Sequence, residues 1–307
     1  MQILQKLARI IKKYFGENAT NMIERENIHS NQIPLDRRIQ YVSDLHLEFP
    51  QNRQWLAKHP LEVTGDILLV AGDSAYLDLP DSNSDTYSAY QFWDWASDHY
   101  NQVIVSFGNH DFYGYYDLAT MPNGFCKEIR HNVLAYYNSV VHFDSIDIIV
   151  STLWSKIKPY DAFLTEKNVS DFYRIKYNGH RLTADDFNRE HERCLAFIEQ
   201  AISESDAEKI IVVTHHVPTQ LCTAVEFKNS TINGAFTVEL GEFIADHRID
   251  YWIYGHSHRN IKAQIGETLI MSNQLGYVSD NEHLKNGFNP SAMIEVSSKN
   301  RLSDERL

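Results

Sequence analysis

Residues 103–111 read VIVSFGNHD, an apolar run that ends in the polar tetrad Gly108 to Asp111. The length and β-branched composition of the run predict a buried strand, and the tetrad stands at its carboxyl end. A turn would explain the glycine and the asparagine, but a turn has little need of an imidazole between an asparagine and an aspartate. The stretch therefore raises the alternative of a site with chemistry at the end of this strand.

Five other apolar runs end in polar clusters in the same way. They read IQYVSD (39–44), DILLVAGD (66–73), DIIVSTLW (147–154), KIIVVTHH (209–216) and DYWIYGHSH (250–258). Two segments between the runs, residues 88–100 and 183–203, predict helices, and Thr183 and Asp186 open the second with the spacing of a capping box. Two further strands are expected within 268–280 and 289–298. Strands that alternate with helices predict an α/β fold with largely parallel, buried strands.

The composition limits the class of protein. Of the 307 residues 43% are apolar, enough for a large core, yet the apolar runs are far shorter than the roughly 20 residues of a membrane span. Cys126, Cys194 and Cys222 have no CxxC spacing, so neither a disulfide framework nor a thiolate zinc site is expected. A net charge of −13 disfavours extended nucleic acid as a partner. We expect a cytoplasmic protein without a secretory signal.

The first 15 residues, MQILQKLARIIKKYF, place apolar side chains at helical spacing among basic ones. They predict an amphipathic helix whose apolar face packs on the body of the protein, on a second subunit or, less favoured, on a membrane surface. The expected organisation is this helix with a linker over residues 1–38, one main domain over 39–298 and a tail over 299–307.

The polar residues at five of the strand ends are of types that bind metal. They are Asp44 and His46, Asp73, Asn109 and His110, His215 and His216, and His256 and His258. Each block alone is compatible with a cap or a turn, but open α/β sheets place ligand sites at the carboxyl ends of strands, so the five can converge. Carboxylates and imidazoles suit manganese, iron or zinc, and their number is about twice what one tetrahedral ion needs. Two divalent or trivalent ions are therefore expected.

In this order, Asp44-x-His46, Gly72-Asp73, Gly108 to Asp111, His215 and Gly255-His256-x-His258 resemble the five-block signature of the calcineurin-like metallophosphoesterases. The resemblance covers about residues 39–298. It implies a four-layer α/β/β/α sandwich of two mixed β-sheets flanked by helices, with the metal site at the carboxyl ends of the strands. Within that superfamily, SDLHLEF, THHVPT and GHSH resemble most a group of bacterial phosphoesterases.

The resemblance also implies a role for each block. Asp44, His46 and His258 would bind the first metal, Asn109, His215 and His256 the second, and Asp73 would bridge the two. Hydroxide formed between the ions would attack phosphorus, and His110 would act as an acid or contact the phosphate. His215 is preferred to His216 as a ligand because it follows the strand first, although an exchange of the two stays open.

One departure from the family pattern concerns the partner of His110. In many members a second carboxylate follows the bridging aspartate by three residues and orients this histidine, but here Tyr76 stands at that position. Either Asp111 or another group then orients His110, or this histidine is less basic than in the members that keep the second carboxylate. Asp111 is our candidate beside His110 in the catalytic set. The protein is not expected to be a serine/threonine protein phosphatase, whose arginine after the GD block it also lacks.

Two segments are candidates for contact with substrate, FYGYY (112–116) and residues 154–182. Trp154, His216 and Arg259 are candidate neighbours of the substrate. The leading hypothesis is hydrolysis of a phosphate mono- or diester of a small metabolite or nucleotide. The alternatives are a lipid-linked pyrophosphate hydrolase, similar to the UDP-diacylglucosamine hydrolases that share SDLHL, and a catalytically silent metal-binding scaffold.

Overall fold

The structure is a computed structural model and describes residues 37–143 and 145–296. Its strands are β1 (Arg37–Val42), β2 (Ile67–Ala71), β3 (Gln102–Ser106), β4 (Phe125–Arg130), β5 (Val133–Tyr137), β6 (Ser139–Phe143), β7 (Ile146–Val150), β8 (Lys176–Tyr177), β9 (His180–Arg181), β10 (Lys209–Val213), β11 (Tyr251–Tyr254), β12 (Ala263–Ile265), β13 (Thr268–Ser272) and β14 (Met293–Val296). Its helices are α1 (Pro50–Lys58), α2 (Gln91–His99), α3 (Ala162–Asn168), α4 (Asp171–Arg174), α5 (Ala184–Glu204) and α6 (Gly241–Asp246).

Most of these strands belong to two six-stranded mixed sheets. The first has the order β14-β1-β2-β3-β5-β4 and the second the order β12-β13-β11-β10-β7-β6. The four central strands of each sheet are parallel, and the strands at both edges pair antiparallel. The strands β8 and β9 form a separate two-stranded ribbon.

The two sheets pack face to face, and helices cover their outer faces. Between the sheets lie alternate residues of the central strands, including Ile39, Tyr41, Leu69, Ile148, Val150, Ile211 and Ile253. The intervening residues face outward: Leu68 and Val70 pack with Trp93 of α2, and Val212 packs with Ile198 of α5. This alternation follows from the period of two in a strand, and it confirms the predicted four-layer sandwich.

The helix α5 shows the predicted start. The Thr183 side chain accepts a hydrogen bond from the backbone N–H of Asp186, whose carboxylate accepts one from the Thr183 N–H, as in a capping box. The stripe of Phe187, Cys194 and Ile198 is buried as expected from its helical spacing.

The first described strand, β1, begins at Arg37, two residues before the predicted start of the main domain. Residues 37–296 form one compact unit. The predicted amphipathic helix and the predicted tail lie outside the described residues. Within 37–143 and 145–296, no helix has the length and hydropathy to span a bilayer.

Candidate metal centre

Five of the predicted ligands have left-handed backbone conformations. The φ angles are +54° at Asp44, +48° at His46, +52° at Asp73, +76° at His256 and +50° at His258. Side chains with a Cβ rarely adopt this region, and each such residue costs on the order of 1 kcal/mol or more. Strain of this kind persists where the surrounding structure fixes it, and it concentrates at functional sites.

The first cluster of ligand atoms comprises Asp44, His46 and His258, whose donor atoms all lie within 4.8 Å of one another. The Nε2 atoms of His46 and His258 are 3.1 Å apart, and His258 Nε2 is 3.3 Å from Asp44 Oδ1. All three residues are buried. Two imidazole nitrogens that face each other beside a carboxylate form the donor set of a metal site.

The second cluster comprises Asp73, His215 and His256, also within 4.8 Å of one another, together with Asn109. His215 Nε2 is 3.2 Å from Asp73 Oδ1 and 3.0 Å from Asn109 Oδ1. The Nε2 atom of His256 contacts the carbonyl oxygen of Ala235 at 3.2 Å, which leaves its Nδ1 as the ligand atom.

The carboxylate of Asp73 lies between the two clusters. Its Oδ2 is 3.8 Å from His46 Nε2 in the first cluster, and its Oδ1 is 3.2 Å from His215 Nε2 in the second. With one oxygen toward each cluster, this carboxylate is placed where it could contact ions in both.

Glycines allow the strand ends to approach this closely. A Cβ added at Gly72 would lie under 3.0 Å from the His215 ring, and one added at Gly108 would lie under 3.0 Å from the Asp73 carboxylate. The glycine of the VIVSFGNHD stretch therefore makes room for the Asp73 carboxylate.

The outward-facing ring nitrogens of the imidazoles have hydrogen-bond partners. His46 Nδ1 is 3.0 Å from Glu48 Oε1, His258 Nδ1 is 2.6 Å from Glu282 Oε2, and His215 Nδ1 is 2.9 Å from the carbonyl oxygen of Ala71. Such bonds fix the tautomer and the ring orientation of metal-binding histidines, so that the other nitrogen faces the ion.

The pKa values of these groups reflect close packing of opposite charges. Burial lowers the pKa of His258, but its bonds to Asp44 and Glu282 outweigh burial and raise it to about 10. At His215, burial again lowers the pKa, but the charge of Asp73 outweighs burial and raises it to about 9. Burial and the nearby His215 lower the pKa of His256 to about 3. The raised pKa values of His258 and His215 thus come from their carboxylate neighbours, whereas His256 lacks such a bond.

His110 lies at the edge of the site and is 12% exposed. Its Nδ1 is 3.1 Å from Glu48 Oε1, and its Nε2 is 3.2 Å from the hydroxyl of Tyr277. Its backbone N–H donates to Asp73 Oδ1 at 2.9 Å, and Tyr113 stacks on its ring at 4.2 Å. Burial lowers the pKa of His110, but the charges of Asp73 and Glu48 prevail and raise it.

Asp111 does not hold the His110 ring. Its Oδ2 accepts hydrogen bonds from the backbone N–H groups of Asp73 and Gly108 at 3.0 and 2.7 Å, and its Oδ1 accepts one from Tyr87 at 3.0 Å. Both ring nitrogens of His110 have other partners. The suggestion that Asp111 orients His110 is therefore corrected: this carboxylate ties together the loops that carry Asp73 and Gly108.

The three candidate substrate neighbours lie in different surroundings. Trp154 and His216 are fully buried, and Trp154 packs among Phe112, Phe187 and His216. The placement of Trp154 among substrate contacts is therefore corrected, since its side chain lies in the core. His216 is as buried as the predicted ligands, and its ring lies 4.2 Å from that of His256, so its contact with substrate stays a prediction. Arg259 is partly exposed, donates to Glu226 at 3.0 Å and lies over the ring of Phe227.

Both predicted substrate segments reach the site. Asp171 of α4 accepts hydrogen bonds from Asn109 Nδ2 at 2.8 Å and from the Tyr113 hydroxyl at 2.6 Å. The guanidinium of Arg174 lies 4.9 Å from the Tyr113 ring and 5.5 Å from the Tyr76 ring. Residues of 112–116 and of 154–182 thus line one side of His110 and Asn109.

Four residues of the site were not among the predictions: Glu48, Asp171, Tyr277 and Glu282. Glu48 had a signal, since it follows His46 by two residues inside the SDLHLEF block. Asp171 had only a regional signal, since it lies within the predicted segment 154–182, and Glu282 had none, because it lies 24 residues from His258 in the chain.

The donor set fits two metal ions. Its chemistry is carboxylate, amide oxygen and imidazole, which suits manganese, iron or zinc. Buried polar atoms around it lack a hydrogen-bond partner in the described part of the chain, namely Glu48 Oε2, Asp171 Oδ2 and both ring nitrogens of His216. Unpaired buried groups of this kind are rare and mark places that a ligand or water completes.

A sandwich of two mixed sheets with a carboxylate and imidazole centre at its strand ends defines a metal-dependent hydrolase, and the comparisons agree. The family model for calcineurin-like phosphoesterases matches residues 37–260, well over half of the chain. The chain belongs to this family. It is a metallophosphoesterase, a hydrolase of phosphoric esters, and the family generally uses two divalent metals.

Two relatives illustrate the range of the similarity. An uncharacterised protein, L509 of Acanthamoeba polyphaga mimivirus, is 29% identical over 280 residues, which cover 85% of this chain and 97% of that protein. The crystal structure of phosphopantetheinyl hydrolase from Mycobacterium tuberculosis matches with a TM-score of 0.62 at 16% identity and covers 86% of this chain and 97% of that one. The second likeness shows the shared fold.

Proposed function

We propose that the protein is a binuclear metal-dependent phosphohydrolase that acts on phosphate mono- or diesters of a small metabolite or nucleotide in the cytoplasm. The observation that carries this proposal is the position of Asp73, with one carboxylate oxygen toward each ligand cluster. Asp44, His46 and His258 would hold one ion, Asn109, His215 and His256 the other, and Asp73 would bridge them.

When bound, the two ions would polarise the phosphoryl oxygens and lower the pKa of water toward neutrality. Manganese, iron and zinc all accept these ligands. The chain's own contribution is to hold seven donor side chains at fixed positions by strained backbone, by close-packed glycines and by hydrogen bonds to the outward ring nitrogens.

His110 would assist departure of the alcohol. In hydrolysis, phosphorus gains a bond to the oxygen of water and loses its bond to the ester oxygen, which takes up a proton as it leaves. His110 is partly exposed at the edge of the site, and its Nε2 contacts the Tyr277 hydroxyl rather than a carboxylate. This nitrogen is placed to deliver a proton to a leaving oxygen.

The alternatives have less support. A lipid-linked pyrophosphate hydrolase would draw on the basic residues 1–38 to reach a membrane, and nearly all of these lie outside the described residues. A silent scaffold has no physical need for all seven ligands, whose burial and strain cost stability. Hydrolysis of a small phosphoester is therefore the function that the site supports best.

The decisive variant is Asp73→Asn, which replaces the bridging carboxylate with an amide. With added Mn²⁺, the wild type should hydrolyse bis(p-nitrophenyl) phosphate or p-nitrophenyl phosphate, and this variant should lose nearly all activity and bind fewer than two ions. The matched control is Asp94→Asn, since Asp94 lies on α2 and pairs with Arg130 at the surface. Equal activity of the wild type and Asp73→Asn would disprove the binuclear mechanism.

The ratio of the two substrates then narrows the class. A diesterase should favour bis(p-nitrophenyl) phosphate, whereas a monoesterase should favour p-nitrophenyl phosphate, whose second anionic oxygen needs more positive charge. Both rates should be measured at saturating Mn²⁺, so that differences in metal binding do not enter the comparison.

A further inference from the structure

Glu48 is the carboxylate that touches both a predicted metal ligand and the predicted acid. Its side chain is 6% exposed, and its Oε1 lies 3.0 Å from His46 Nδ1 and 3.1 Å from His110 Nδ1. One oxygen therefore serves two imidazoles that stand 4.6 Å apart in an edge-on arrangement. The other oxygen, Oε2, is buried without a partner among the residues that the structure describes.

These contacts fix the His110 ring at both nitrogens. A carboxylate only accepts hydrogen bonds, so Nδ1 must carry a proton and donate it to Glu48. The Nε2 atom, at the other end of the ring, then faces the Tyr277 hydroxyl at 3.2 Å. Tyr113 stacks against one face of the ring at 4.2 Å and limits its rotation.

The groups nearest in sequence do not provide this contact. Asp111 is occupied by the backbone N–H groups of Asp73 and Gly108. At residue 76 the side chain is a tyrosine, whose ring lies 6.2 Å from the His110 ring and at 5.5 Å under the guanidinium of Arg174. The carboxylate that reaches His110 comes instead from the loop after β1.

We propose that Glu48 is the positioning residue for His110 and that, through the same oxygen, it ties the orientation of the acid to that of His46. The proposal rests on the proposed function, in which His110 protonates the leaving oxygen. It assigns Glu48 a role in the chemical step in addition to its support of the first metal ligand. Outer carboxylates of this kind typically contribute about 10- to 100-fold to activity or metal affinity.

A double-mutant cycle of Glu48→Ala and His110→Ala tests the proposal at saturating Mn²⁺, with phenyl phosphate as substrate, or with methyl phenyl phosphate if the wild type hydrolyses only diesters. Glu48→Ala should lower kcat by about 10- to 100-fold in the wild type. In the His110→Ala background the same change should lower kcat by less than about threefold, because residues that act as a unit are not additive. The metal content of every variant is measured in parallel.

The leaving group provides a readout that a purely structural role would not move. With p-nitrophenyl phosphate, whose leaving group hardly needs a proton, the loss on Glu48→Ala should be smaller than with phenyl phosphate. Glu48→Gln keeps an acceptor oxygen in the same place and should restore part of kcat. It also replaces Glu48→Ala in the cycle if the alanine variant does not fold.

The outcomes separate this proposal from the proposed function. If the wild type shows no metal-dependent hydrolysis, the proposed function fails. If the wild type is active but Glu48→Ala lowers kcat equally in both backgrounds, Glu48 does not act through His110. Loss of metal from Glu48→Ala that accounts for the whole effect would likewise overturn the positioning role and leave the proposed function intact.

Discussion

The two ligand clusters are alike in their donor atoms and differ in what stands behind them. In the first cluster, carboxylates back the imidazoles, Glu48 behind His46 and Glu282 behind His258. In the second, backbone carbonyl oxygens back them, Ala71 behind His215 and Ala235 behind His256. Carboxylate backing raises the basicity of an imidazole ligand and adds negative charge beside the ion. The first cluster should therefore hold its metal more tightly than the second.

The strongest test of the comparison is removal of the metals. Treatment with a chelator should abolish hydrolysis, a loss of more than about 10³-fold, because the proposed function depends on water activated by metal. Titration with Mn²⁺ should then refill the site in two phases, with the first equivalent bound more tightly. Isothermal titration calorimetry with parallel rate measurements resolves the phases, and activity should follow the second equivalent.

The control for this experiment is the apoprotein incubated with Mg²⁺, which prefers oxygen ligands and should restore little activity. A single binding phase with two equal equivalents would show that the backing groups do not distinguish the clusters. Activity that survives complete chelation would contradict the metal-dependent mechanism itself.

A smaller effect is expected from changing the backing of one cluster. Glu282→Gln removes the charge behind His258 but keeps an oxygen acceptor, so the tight equivalent should weaken by about 10- to 100-fold. Asp171→Asn, which changes the group behind Asn109, should weaken the other equivalent instead. Calorimetric titration of both variants with Mn²⁺ checks the assignment.

The matched control is Glu192→Gln, since Glu192 is exposed on α5 and pairs with Lys156 at the surface. It should leave both equivalents unchanged. If Glu282→Gln and Asp171→Asn weaken the same equivalent, the division of the ligands into two clusters is wrong.

The pH dependence of metal binding sharpens the comparison further. Without an ion, His258 has a pKa of about 10 and His215 a pKa of about 9, so each holds a proton at pH 7. A metal must displace that proton, whereas His256, with a pKa of about 3, has none to lose. Affinity should therefore fall about tenfold per unit as the pH decreases from 8 to 6, with about one proton released per ion.

Calorimetry in buffers of different ionisation enthalpy measures this release directly. The dependence should vanish above about pH 10, where both imidazoles have lost their protons. Heats that are the same in every buffer at pH 7 would contradict the pairing of imidazolium and carboxylate in the metal-free site.

The sequence alone predicted the fold and the residues of the two ligand clusters, because both depend on short local patterns in the chain. A strand of period two that ends in a short polar block needs no distant information, and the ends of parallel strands meet at one edge. This is why the polar blocks at five strand ends, led by Asp44, Asp73, Asn109, His215 and His256, were expected to converge, and why Thr183 marked the start of α5. The tetrad in VIVSFGNHD alone is compatible with a turn, and only together with the other four blocks does it predict a metal site.

The outer part of the site was not predictable in the same way. Glu282 and Asp171 reach the ligands from loops and a short helix whose positions depend on the whole fold. Trp154 was placed near substrate because an aromatic residue at a strand end suits either a core or a binding surface, and its burial in the core could not be read from the run itself. Asp111 was misread because a carboxylate beside a histidine suggests a pair, whereas its partners are backbone N–H groups.

The smallest expected effect concerns the surface beside the second cluster. Asp171 of α4 bonds Asn109, and Arg174, one turn later, places an exposed guanidinium over Tyr113, which stacks on His110. In a chain of net charge −13, a cation at this position attracts an anionic substrate without touching the reacting bond.

Arg174→Ala should raise KM for p-nitrophenyl phosphate by about two- to fivefold at low salt, with kcat unchanged. The effect should shrink near 0.5 M salt because exposed charges are screened. Arg181→Ala, which removes an exposed arginine over Tyr173, is the control. A fall in kcat at constant KM would instead place Arg174 in the chemical step and make the second cluster's surface part of the catalytic centre.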